Sequence, residues 1–173
     1  MSTNAPPEKL PDLLADDLAL VFVGTAASNR SAALGAYYAH PGNRFWTALF
    51  EAGITPRRYE PAQFRELSRL GIGFTDLCKY AAGMDHRIGA ADFDVAAFEA
   101  KIRRHRPRVI AFTSKKAASL FYGCRTGQLA VGRHQPRQDF PDVFVLPSPS
   151  GAASRYWDIA PWRELAKHAA THR

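Results

Sequence analysis

The sequence predicts an α/β domain with helices on both faces of a mainly parallel, four-stranded sheet. Two observations carry that prediction. Four short apolar runs are continuous rather than alternating, as strands covered on both faces are, and amphipathic helical patterns separate them. A third sets the scale: 173 residues, 46% hydrophobic and 23% charged, suit one core and not two.

The first run, ALVFVGT (Ala19 to Thr25), is rich in β-branched and aromatic residues. NRFWTALFEAG follows, with Phe45, Trp46, Leu49 and Phe50 at helical spacing and a stop at Gly53. PAQFRELSRLG opens on Pro61, repeats apolar residues at Phe64, Leu67 and Leu70, and ends at Gly71. The second run, GIGFTDL (Gly71 to Leu77), comes next. DVAAFEAKIRRHR then puts Val95, Phe98 and Ile102 on one helical face, and its basic end suits a helix C-terminus. The third run is RVIAFTS (Arg108 to Ser114), followed by the short helix KKAASLFYG. The basic segment from Gly123 to Asp142 reads as loop, with a short strand expected at Gln128–Val131. VFVLPSPS (Val143 to Ser150) is the fourth run, and APWRELAKHAATHR is the last helix. No repeat or linker interrupts this order. Residues 1–18 are expected to be an N-terminal extension, and 19–173 a single domain.

Composition narrows the function. A net charge of +7 and a pI near 9.7 favour a polyanionic partner. The 2 cysteines, Cys78 and Cys124, are too few for a disulfide framework, a four-thiolate zinc site or an iron–sulfur cluster held by this chain. The six histidines are read as lacking HExxH or paired-ligand spacing, so neither metal nor cofactor is expected. The polar, acidic opening is unlike a signal peptide and no stretch is apolar enough to span a bilayer, so the expected setting is cytoplasmic and the expected state monomeric.

In a parallel sheet, ligands bind beyond the carboxyl ends of the strands. Here those ends are GTAASNRS, TDLCKY, TSKK and PSPSGAASR, all polar, glycine-containing or basic. GTAAS carries only Gly24 of a dinucleotide fingerprint and reads equally as a tight turn. PSPSGAASR offers Ser148, Ser150 and the Gly151 amide on a proline-stiffened turn near Arg155, a set that suits a phosphate backbone or serves an ordinary loop. Asp76 either meets a ligand at the end of its strand or caps the following turn. The run RRHRPR (Arg103 to Arg108) lies at the opposite, amino edge and reads as a solvated helix end. In YYAHPGNRFW, Pro41 and Gly42 place Tyr37 and Tyr38 on a loop.

Together the first-strand loop, HPGNRFW, GIGFTDL, IAFTSKKA and PSPSGAASR resemble the uracil-DNA glycosylase superfamily, in its order, from about Leu20 to Arg155. The mismatch-specific uracil/thymine-DNA glycosylases and the hypoxanthine-DNA glycosylases are the branches most alike. The resemblance implies a three-layer α/β/α sandwich around a four-stranded parallel sheet. It implies a monofunctional DNA glycosylase that flips a deaminated base, uracil first, out of DNA and leaves an abasic site in base excision repair. Tyr38 falls where the family keeps the ring that stacks on the base, with Tyr37 as the fallback. Gly24 and the backbone amides of Thr25 and Ala26 would draw charge onto the departing base, and Asp76 would read its edge. Ser148 and Ser150 would grip phosphate with Gly151, while Ala152, Ala153, Ser154 and Arg155 would enter the minor groove, Arg155 being the wedge.

Three departures from the family's pattern stand out. Ala26 occupies the position where most members carry a water-positioning Asp or Asn, Asp76 stands for a base-reading asparagine, and Ser148 replaces a histidine. Asn43 is the expected catalytic substitute and Asp76 the second. The other readings are a slow or non-catalytic binder of uracil or abasic DNA, a hypoxanthine-DNA glycosylase, and, more remotely, an α/β domain for a small nucleotide.

Overall fold

The computed structural model describes residues 6–173. Five strands form one sheet in the order β2-β1-β3-β5-β4. Strands β1 (Leu20–Ala26), β2 (Ile72–Cys78), β3 (Val109–Phe112) and β5 (Asp142–Val145) run parallel, while the two-residue β4 (Gly132–Arg133) pairs antiparallel with β5. The expected four strands are present and β4 adds a fifth. The strand expected at Gln128–Val131 is displaced: Thr126–Gln128 form a 3-10 turn, and Gly132, with φ at 106°, enters the sheet instead.

Side-chain alternation along the parallel strands divides the core in two. Leu20, Phe22, Ile72, Phe74, Val109, Ala111 and Phe144 face one layer, made by α2 (Phe45–Glu51), the 3-10 helix Pro61–Leu70 and α5 (Ala160–Ala170). Val21, Val23, Leu77, Ile110, Phe112, Val143 and Val145 face the other, made by α3 (Val95–His105) and α4 (Lys115–Tyr122). The expected α/β/α sandwich follows. An additional short helix, α1 (Asn29–Leu34), lies in the β1–α2 connection; Ser28 caps it by accepting from the Ser31 amide, and Gly35 ends it at φ 63°. Two details differ from the helical reading. PAQFRELSRLG is a 3-10 helix rather than an α-helix, and Phe50 is 48% exposed rather than part of the buried face.

Residues 10–14, expected within the extension, lie along the free edge of β2. Leu13 and Phe74 exchange both backbone hydrogen bonds, and Leu10 is fully buried. Between them Asp12 accepts from Thr75 Oγ1 at 2.7 Å and pairs with Lys79 (2.8 Å) and Lys101. The buried Lys79 also donates to the Leu10 carbonyl. Burial would raise the Asp12 carboxyl, but the two lysines hold it below its ordinary value.

Candidate active site

Parallel pairing sets three residues side by side near the carboxyl ends of the central strands. Asp76 on β2 is in register with Gly24 on β1, and Thr113 follows β3 on the other flank, its amide donating to the Val23 carbonyl. Strand alternation turns all three toward the layer that contains α2. Gly24 is the gap in this row: a Cβ there would collide with Asp76 Oδ1 and come within 3.3 Å of the Tyr38 hydroxyl. Only glycine leaves room for both side chains.

Tyr38 reaches into that gap. Its backbone sits at φ 51°, a left-handed conformation that non-glycine residues seldom adopt, and the strain aims the ring across the strand ends. Thr113 Oγ1 donates to the Val23 carbonyl (3.3 Å), so the Tyr38 hydroxyl donates to Thr113 Oγ1 (3.0 Å). The ring lies flat on Phe45, with centroids 3.9 Å apart and planes 18° apart. One face is therefore covered by α2, while the residue as a whole keeps partial exposure. Tyr37, the fallback, is 2% exposed; it stacks on Phe74 and donates to the Pro11 carbonyl, while its own carbonyl accepts from Trp46 Nε1. Tyr37 is a core residue, which corrects its reading as a base-stacking ring.

Asp76 is 4% exposed and makes no hydrogen bond to another described residue. The turn-capping alternative therefore fails. Burial raises its pKa to about 7, helped by the negative charges of Asp12 and Asp85 and opposed by Lys79 and Lys101. Asp76 thus combines a largely buried carboxyl, no hydrogen-bond partner among the described residues, and a pKa raised by burial.

Asn43 sits where α2 begins. Its Oδ1 accepts from the Phe45 backbone amide at 2.9 Å, and its backbone N–H donates to the His40 carbonyl at 2.9 Å. That cap fixes the side chain and uses one lone pair of Oδ1, leaving the second lone pair and both Nδ2 hydrogens for a water or a ligand. His40 steadies the same turn by accepting from the Gly42 amide through Nδ1 (2.9 Å). Ala26, paired with Cys78, offers no polar side chain, and Thr25 donates its hydroxyl to Asp85 at 2.6 Å.

The loop after β5 closes on this turn. The Arg44 amide donates to the Pro149 carbonyl (2.8 Å), Arg44 Nη1 donates to Ser154 Oγ (3.1 Å), and the Arg44 guanidinium lies 5.7 Å from the Trp157 ring centre. Gly151 packs so closely that a Cβ would stand 3.1 Å from the Gly42 carbonyl oxygen. Ser148 Oγ accepts from the Ser150 amide and Ser150 Oγ from the Ala152 amide, so both hydroxyl hydrogens are still free to donate outward. Gly151 through Tyr156 form a 3-10 turn that holds Ala152, Ala153, Ser154 and Arg155 at the surface.

The structure thus gathers Gly24, Tyr38 and Asp76 at one point, and clasps the Asn43 turn to the Ser148–Arg155 loop. Three contributors went unread in the sequence. Thr113 ends a strand in TSKK, a signal that was available. Phe45, one of the helically spaced apolar residues, also backs the tyrosine. Tyr156 is 74% exposed beside Arg155, an aromatic set out in water at the tip of the loop.

Two comparisons with known proteins bear on the fold and the family. The solution NMR structure of a candidate uracil DNA glycosylase from Methanosarcina acetivorans superposes with a TM-score of 0.66 at 22% sequence identity, over 93% of this chain and 96% of that one. It shares the fold. The family model of the uracil DNA glycosylase superfamily matches residues 11–166, from the segment on the β2 edge to the last helix. On that match, the chain belongs to the uracil DNA glycosylase superfamily.

Proposed function

We propose that this DNA glycosylase hydrolyses the N-glycosidic bond of a deaminated base, uracil first, flipped from DNA to the strand ends beside Tyr38 and Asp76, where the Tyr38 hydroxyl, which fills the gap over Gly24 and bonds Thr113, withdraws to admit it. The observation that supports it best is Tyr38, held flat against Phe45 over a glycine gap beside an unpartnered carboxyl. The ring face away from Phe45 takes the base, a contact worth roughly 1–3 kcal/mol. That offsets a large part of the cost of unstacking, which is itself a few kcal/mol.

Asp76 reads the base by its edge. In uracil, N3–H stands beside O4; in hypoxanthine, N1–H stands beside O6. An ionised carboxylate accepts from the N–H but repels the carbonyl. A neutral carboxylic acid accepts from one and donates to the other. With its pKa pushed up to about 7, Asp76 holds a substantial neutral fraction at physiological pH, which reconciles an aspartate with a position where the family keeps an asparagine.

Asn43 positions the water. Its Oδ1 keeps a lone pair that accepts one water hydrogen, aiming the water oxygen at the sugar C1′ as the bond to the base lengthens. The water adds at C1′, its proton passes to solvent, and the base leaves with the bonding pair. The amides of Thr25 and Ala26 stabilise the resulting anion, and no metal or cofactor enters the scheme. Ser148, Ser150 and Gly151 hold phosphate, and Arg155 with Tyr156 fills the space the base vacates. The working unit includes residues 10–18, which pack on the β2 edge, together with 19–173, and acts as a monomer.

Ala26 favours a second reading. Without the usual water-holding side chain, the protein could bind uracil or abasic DNA and turn over very slowly. Duplex and single-stranded oligonucleotides carrying uracil or hypoxanthine, followed by alkaline cleavage, separate the two. Release of either base supports the enzyme. Tight, salt-sensitive binding with no release at excess protein supports the binder, and hypoxanthine release without uracil release moves the substrate to the purine.

A further inference from the structure

The carboxyl-terminal helix ends in a side-chain cluster that glycosidic chemistry does not use. His168 on α5 and His172 just beyond it are four residues apart, a spacing that sets both imidazoles on one side of the helix. This i, i+4 pair corrects the expectation that the histidines lack paired-ligand spacing. Asp142, the first residue of β5, completes the group: its Oδ2 lies 2.8 Å from His168 Nε2. One ligand atom from each of the three lies within 4.8 Å of the others.

We propose that Asp142, His168 and His172 bind a divalent transition metal of the zinc class, with water in the fourth position. Two imidazole nitrogens and one carboxylate oxygen are a donor set that zinc takes, at bond lengths of about 2.0–2.2 Å. Such bonds place ligand atoms on the order of 3.5 Å apart in a tetrahedron. The Asp142–His168 pair is already closer than that, and the remaining closure is a side-chain rotation of His172, which is exposed and free to turn. The His168 ring also lies 5.4 Å from the Phe144 ring, which steadies its plane. Glu164 stands one helical turn before His168 and lines the same groove.

Two cations oppose the ion. Arg133 lies 3.4 Å from Asp142 Oδ2, and Lys167 lines the groove. Arg133 is half exposed, so its guanidinium can swing into water when the ion takes its place on the carboxylate. The site lies at the amino end of β5, and Ser148 follows six residues later along nearly extended chain, about 20 Å away. The ion therefore fastens α5 to β5 and takes no part in base release.

The test uses the full chain, free of any affinity tag and stripped with a chelator. Zinc is titrated by calorimetry, and cobalt(II) is followed by its visible absorption. The expected result is one saturable site per chain, a rise in melting temperature on loading, and intense four-coordinate cobalt bands. His172→Ala, an exposed substitution that leaves the core untouched, should weaken binding at least tenfold, and His168→Ala likewise. His40→Ala should bind as the parent does. Absence of saturable binding, or a single site that survives both His168→Ala and His172→Ala, overturns the proposal. So does a strict metal requirement for base release, which would place the ion at the chemistry rather than on the far edge of the sheet.

Discussion

Replacing Asp76 with asparagine should make the protein more stable relative to the wild type at alkaline pH and leave that difference small in acid. The cause is the burial that raises the carboxyl from 3.8 to about 7. Below pH 3.8 the folded and unfolded chains both hold the proton. Between 3.8 and about 7 the unfolded chain gives it up while the folded chain keeps it, so wild-type stability falls as pH rises. Above pH 7 the whole penalty is in place. At roughly 1.4 kcal/mol per pH unit, it amounts to about 4 kcal/mol, a large part of a typical domain's 5–15 kcal/mol. Besides burial itself, the groups that set the value are Lys79 and Lys101, which attract the carboxylate, and Asp12 and Asp85, which repel it. All of them are shared by the variant. Urea unfolding of both proteins between pH 4.5 and 8.5 therefore isolates Asp76 in the difference of the two curves. A difference that grows with pH toward about 4 kcal/mol is the expected result. A flat difference would mean that water or an unrecognised partner solvates the carboxylate, and the case for a neutral acid reading the base would go with it.

Base release should follow the same carboxyl, declining as pH rises past about 7 in the wild type and losing that decline in Asp76→Asn; pH–rate profiles under single turnover show it. Asn43→Ala should lose about 10²–10⁴ in rate while DNA affinity, measured by fluorescence anisotropy, changes little. Tyr38→Ala should weaken capture of the flipped base by about 5- to 150-fold, the equivalent of roughly 1–3 kcal/mol, whereas Tyr38→Phe keeps the ring and should stay within a few-fold. Removing Arg155 and Tyr156 together should slow release from duplex far more than from single strands, because only a duplex leaves a hole to fill; equal losses on both would assign the pair to phosphate contact instead.

The sheet was legible because its strands are buried on both faces, which makes them continuous apolar strings bounded by glycine and polar residues. What escaped was set by tertiary context. Strand β4 is two residues long and rests on β5 with little pattern of its own. Pro61–Leu70 has helical periodicity but winds as a 3-10 helix between its capping Glu60 and Gly71. Phe50 sits beside buried neighbours yet faces water. In the site, Tyr38, Asp76 and Asn43 could be named from the motifs. The reason Gly24 must be glycine could not, since it depends on a register that pairs residues 52 positions apart. Likewise Tyr37 and Tyr38 are indistinguishable as letters; one positive backbone angle sends the second across the strand ends and leaves the first in the core. The 168/172 pair acquires its third ligand only through the fold, which brings Asp142 from 26 residues away beside His168.

Arg44 joins two stretches of chain more than a hundred residues apart, through its amide to Pro149 and its guanidinium to Ser154 and Trp157. One consequence is mechanical. The arm that would pry a nucleotide loose and the turn that would aim water at its sugar are bolted together, so neither travels without the other. On the proposed function, extrusion and attack would then be timed by a single docking motion rather than by a separate closing lid. Arg44→Ala would cut part of that bolt while removing no group assigned to chemistry. Its mark should be futile visits, in which DNA is gripped and released many times for each base freed.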